Sequence, residues 1–61
     1  SSMTESQREL KAAQRAYAET PDSEEVQGRL TRALRAEMRE RRTAEAARHG
    51  MTLEEYEKIA W

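Results

Sequence analysis

Few side chains in this sequence could do covalent or metal chemistry. There is one histidine, His49, and no cysteine. A hydroxyl nucleophile needs a base within hydrogen-bond reach and a group that orients the base, and no Ser-His-acid spacing here supplies both. His49 stands between Arg48 and Gly50 at the expected end of a helix, where a polar or cationic side chain suits the negative pole. Glu45 precedes it by one turn, the spacing of paired ligands on a helix, but one pair does not make a metal site. The acid pairs Glu24/Glu25 and Glu54/Glu55 each fall in the first turn of an expected helix, where the positive pole favours negative charge. The residues therefore predict a protein that is not an enzyme, with no cofactor and no metal.

A more conspicuous pattern is basic. Arg29, Arg32, Arg35, Arg39 and Arg42 recur every three or four residues along one face of an expected long helix. Three uses fit such a stripe. It can be a solvated face laced with i,i+4 ion pairs, a surface that meets the acidic ends of another chain, or a phosphate-reading stripe for nucleic acid. Residues 29–48 carry seven Arg against three Glu, whereas residues 1–28 hold six acids against three bases and residues 49–61 three acids against one. A basic middle between acidic ends, a net charge of −1 and no aromatic interleaving weigh against nucleic acid. Val26, Leu30, Leu34 and Met38 lie on the face opposite the arginines. Glu37 and Arg41 fall in line with this apolar face. They either pair across one turn, pair across an interface, or mark where the apolar stripe stops at Met38.

The elements that position these residues are marked at their ends. Thr4-Glu5-Ser6-Gln7 is a capping-box pattern, opening a helix over about 5–19 that Thr20-Pro21 breaks. Asp22-Ser23-Glu24-Glu25 offers the next start, with Asp22 as cap, and the long helix runs over about 23–49. Gly50 suits the left-handed residue that closes it. Thr52-Leu53-Glu54-Glu55 is a third start, with Met51 and Tyr56 spaced as a hydrophobic staple, for a helix over about 53–60. Gly28 interrupts the long helix, either tolerated or admitting a neighbouring backbone. At 1.5 Å per residue the helices span roughly 24, 40 and 13 Å, and the two short connections make both shorter helices fold back on the long one. This places Tyr17 near Val26, Ala13 near Leu30 and Leu10 near Leu34. It sets Tyr56 and Ile59 opposite Ala44, Ala47 and their neighbours, in a two-layer plate. Trp61 is directed towards Met38, Arg41 and Arg42, at least half buried.

The expected class is all-α: three helices, one long and central with two shorter ones folded back on it, completed by oligomerisation into a bundle. Large apolar side chains are scarce for a 61-residue chain that is 38% charged. A small domain with so little core needs a staple, and without cysteine or a metal clip the remaining staple is a second copy or a helical protein partner. The expected interface takes Val26, Leu30, Leu34, Glu37, Met38, Arg41, Tyr56 and Trp61. Residues 1–3 read as a tag remnant or disordered start, residues 4–61 as one domain. No apolar run is long enough for a membrane span or a signal-peptide core. The expected place is the cytoplasm, with an exported mature fragment as the alternative. The Arg-over-Lys, Ala-rich composition suits a GC-rich bacterial source.

Two resemblances complete the reading. Pro21–Ala60, with its Pro-Asp-Ser-Glu-Glu opening, long Ala/Leu/Met helix and Gly50-Met51-Thr52-Leu53-Glu54-Glu55-Tyr56-Glu57-Lys58-Ile59-Ala60 close, resembles an uncharacterised family of small helical bacterial proteins. That family closes on Gly-Leu-Ser, two acids, Tyr and Ile-Ala. Its long helix is shorter and Gln-rich where this one is Arg-rich. The resemblance implies a fold type and, because the family is often exported, an extracytoplasmic possibility. Residues 45–59 resemble a helix-turn-helix at Ala46, Gly50, Met51 and Ile59. The would-be recognition helix, however, carries Glu54, Glu55 and Glu57, which repel DNA.

Overall fold

The computed structural model describes residues 2–60. Its elements are α1 (Glu5–Glu19), α2 (Glu24–Arg48) and α3 (Leu53–Ala60), with no strand among the described residues. The all-α expectation, with one long helix flanked by two shorter ones, holds.

Local chemistry accounts for the helix ends. At α1 the Thr4 hydroxyl accepts from the Gln7 N–H at 3.2 Å, and Gln7 Oε1 accepts from the Thr4 N–H at 3.0 Å. Thr52 and Glu55 repeat this reciprocal box at α3, at 3.2 and 2.8 Å. Each box satisfies two of the four amide donors that a helix start leaves without a partner. α2 differs from expectation by one residue: its cap is Ser23, whose hydroxyl accepts from the Val26 N–H at 3.3 Å, and not Asp22. The cause is the preceding turn. Thr20 O accepts from the Ser23 N–H at 3.2 Å, closing a four-residue turn with Pro21 in its second position, which proline's fixed φ favours. That turn consumes Asp22, so Ser23 is the first residue free to cap.

α2 ends in a Schellman motif. Gly50 has φ +69°, the Met51 N–H donates to Ala46 O at 2.9 Å, and the Gly50 N–H donates to Ala47 O at 3.0 Å. Both bonds satisfy carbonyls that would otherwise be orphaned at the helix end. Gly28 has a plainer reading. A Cβ there would meet only the Arg32 guanidinium, at 3.4 Å, so no backbone comes close and the glycine is simply tolerated.

α1 and α3 both pack on α2, and not on each other. α1 buries Ala13 against a face of α2 that includes Ala33 and Glu37. α3 covers Ala46, which has no exposure, while Ala44 and Ala47 stay exposed. Of the stretch expected opposite α3, it is therefore the neighbour Ala46 that is covered and not Ala44 or Ala47 themselves, because the chain leaves Gly50 towards the Ala46 side. Glu37 and Ala46 are nine residues apart, about two and a half turns, and so lie on opposite sides of α2. The short helices therefore flank α2 from opposite edges and form one layer, not two. The Cα extents are 41 × 30 × 11 Å. The thin dimension is less than the roughly 13–15 Å that two stacked helices need, from about 8–10 Å between axes and a Cα radius of about 2.3 Å on either side.

Candidate protein-binding face

A single layer of helices has two broad faces and little interior. The buried apolar residues are Ala13, Ala33 and Ala46, and no large side chain is fully buried among the described residues. Alanine lets helix axes approach closely but removes little surface from water. The large apolar side chains collect at the margins instead. Val26 and Leu30 are half-buried beside α1, while Leu34 is 40% exposed and Met38 53%. Tyr17, Met3 and Ile59 are exposed as well.

Five of the eight expected interface residues separate into three groups. Val26 and Leu30 join the α1–α2 seam. Leu34 and Met38 stand clear of it. Their spacing explains this, since at about 100° per residue Leu34 and Met38 lie roughly 60° and 100° round from Glu37, which faces α1. Tyr56 belongs to the α2–α3 junction, where its ring stacks on His49 with centroids 6.0 Å apart. Trp61 lies outside the described residues.

Glu37 is the buried charged residue among the described residues, at 6% exposure. Its Oε1 accepts from Arg41 Nε at 3.0 Å, so the two pair across one turn. Arg41 nevertheless keeps 77% of its side chain exposed. Glu37 Oε2 is buried with no hydrogen-bond partner among the described residues, on a cleft that also touches Met3, Leu10, Lys11 and Gln14.

The arginine stripe does not stay together as one surface. Arg29 reaches α1, where Nε and Nη2 donate to Glu9 at 2.7 and 3.1 Å. That two-pronged hydrogen bond, with the charge behind it, lowers the Glu9 carboxyl and raises the Arg29 guanidinium from their ordinary values. Arg42 turns to α3, its Nε 3.7 Å from Glu57 Oε2, an ion pair too long to be a hydrogen bond. Arg39 borders the same cleft as Leu53, Glu54 and Glu57. Arg32 lies over Gly28, and Arg35 is exposed. Glu9 and Glu57 divide the stripe; sequence gives the charge of both, and marks Glu57 as an acid of the last helix, but it does not give their register against α2.

His49 is the C-cap of α2. Its Nε2 lies 3.1 Å from Glu45 Oε2, and Arg48 Nη1 donates to Glu45 Oε1 at 3.3 Å. Glu45 is thus engaged by two neighbours on its own helix. No group of three potential metal ligands occurs among the described residues, and none of the helices is long and apolar enough to cross a membrane. Comparison of the chain with protein-family models, with curated proteins and with solved structures found no match.

Proposed function

We propose that this protein is a non-catalytic helical interaction module whose exposed apolar face is covered by a second layer of helices. The observation that carries the reading is the combination of a plate one helix thick with a core of alanines. Stable domains pack at least two layers around their apolar side chains, and here Leu34, Met38 and Tyr17 are exposed. Large apolar residues gathered on one side of a small domain mark contact surfaces.

The alternative, a nucleic-acid regulator, needs arginines that are available to phosphates. Arg29 and Arg42 are held by Glu9 and Glu57, and α3 sets further acids beside Arg39. These pairings favour a protein partner.

Thermal melting followed by circular dichroism over a concentration series tests the proposal. If the second layer is another copy, the midpoint rises with protein concentration; if it is a helical partner, adding that partner raises it at fixed concentration. A monomer that melts cooperatively at one temperature whatever its concentration or company would overturn the reading.

A further inference from the structure

We infer that the covering layer is a second copy of this chain, docked α2 against α2 in antiparallel two-fold fashion with the axis at the level of Ala36. The inference rests on the interaction-module reading above and adds occupant, orientation and register.

Between the edge covered by α1 and the edge covered by α3, α2 leaves an open strip. Its residues alternate at spacings of four and three, the heptad rhythm by which one helix lies along another. Leu34 and Met38 form its centre. Outward from them come Thr31 and Arg41, then Gln27 and Glu45, then Glu24 and Arg48. Glu45 is half-buried and all the others are exposed, so neither short helix has taken the strip. On the other broad face the same rhythm runs through Glu25, Arg29, Arg32, Ala36, Arg39 and Thr43. It contains no large apolar side chain, so only one face offers a hydrophobic centre.

The strip is complementary to its own reverse. Turned antiparallel about the level of Ala36, Leu34 of one copy meets Met38 of the other, twice by symmetry, and forms a continuous apolar centre. Thr31 then meets Arg41, Gln27 meets Glu45, and Glu24 meets Arg48. An isologous contact requires this relation, with residue i against j and j against i. Every close pair is apolar, polar or of opposite charge. A parallel in-register pairing would set Glu24, Arg41, Glu45 and Arg48 each against itself, four like-charge contacts. Arg48 and Arg41 keep 78% and 77% of their side chains exposed despite their partners within the helix, so both remain available.

Area sets the expected strength. A strip about 36 Å long and about 10 Å wide offers roughly 360 Å² per copy, below the roughly 600–1,000 Å² per partner of stable interfaces. Tyr17 on α1 and Met3 just before it, both exposed, must contribute. An interface this small belongs with weak, transient contacts, so the dimer should form and dissociate within an ordinary concentration series.

Because the chain has no cysteine, single labels report the geometry cleanly. A spin label on Gln27→Cys should give an inter-copy distance of about 27 Å along the helices, from eighteen residues at 1.5 Å each. Charge reversal supplies the second arm. Glu24→Arg alone and Arg48→Glu alone should each dimerise roughly 5- to 30-fold more weakly, because two attractive surface pairs become repulsive. Mixed, the two variants should form a heterodimer at close to the native affinity, since both cross pairs are then of opposite sign. A dimer whose Gln27→Cys labels lie about 10 Å apart, or whose two charge variants fail to rescue each other, overturns the antiparallel seam and leaves self-association standing. A chain that stays monomeric at every concentration overturns the second copy as occupant, and melting in the presence of a helical partner then tests the module reading separately.

Discussion

Glu37 is buried to 6% exposure, while Leu34, three residues before it on the same helix, keeps 40%. The carboxylate faces α1 and the leucine does not. An apolar side chain in the place of Glu37 would remove a polar oxygen that has no partner among the described residues, and Arg41 would lose little because its side chain is mostly exposed. Glu37→Leu should therefore raise stability, by about 1–3 kcal/mol, the usual cost of an unsatisfied buried polar group. Chemical denaturation reads it. A lowered midpoint would mean that Oε2 has a donor in solution.

The same contrast separates two aspartate substitutions. Leu30 is half-buried beside α1, so Leu30→Asp places a charge within the seam and should abolish the cooperative melt. Leu34→Asp should leave helicity at low concentration nearly unchanged and act on association instead. Loss of helical signal by both variants in dilute solution would place Leu34 in the monomer's own core.

Helix ends give opposite expectations for the two glycines. Gly28→Ala should stabilise by about 1 kcal/mol, the difference in helix propensity, because its Cβ meets only the movable Arg32 side chain. Gly50, at φ +69°, should lose about 1–2 kcal/mol as Val, since the left-handed region crowds a Cβ against the following carbonyl. Melting temperatures of the two variants check the pair of signs. Equal shifts in one direction would contradict the local geometry.

Thr52→Ala should cost about 1 kcal/mol by removing a cap, and the effect should be local. α3 is short, and its first turn depends on the box with Glu55. Amide hydrogen exchange should therefore speed up across α3 while α1 keeps its protection.

The Glu9–Arg29 bridge makes the α1–α2 seam sensitive to acid. Its hydrogen bond holds the Glu9 carboxyl below the ordinary value of 4.5. A carboxyl lowered on folding adds stability that is full above the unfolded value and is lost as pH falls through the folded one. The melting temperatures of the native chain and Glu9→Gln should thus differ at neutral pH and converge as pH drops below 4.5. Both side chains are exposed, so added salt should shrink the gap.

Much of this fold is written in stretches of four to six residues. Thr4 with Gln7, Thr52 with Glu55, and Gly50 after Ala46 and Ala47 are all local, with partners no more than five residues apart. The sequence alone therefore determines where three helices start and stop, how long they are, and that short connections return the flanking helices to α2. It missed the α2 cap by one residue because the Thr20–Ser23 turn, not cap preference, assigned Asp22. What only the tertiary structure decided is which side of α2 each short helix takes. Ala44, Ala46 and Ala47 are equivalent as residue types, and their fates differ only through the direction in which the chain leaves Gly50. That direction covers Ala46, brings Glu57 to Arg42, leaves one layer in place of two, and keeps Leu34 and Met38 open. Packing between helices depends on the summed contacts of distant residues, and no spacing along a single helix encodes that sum.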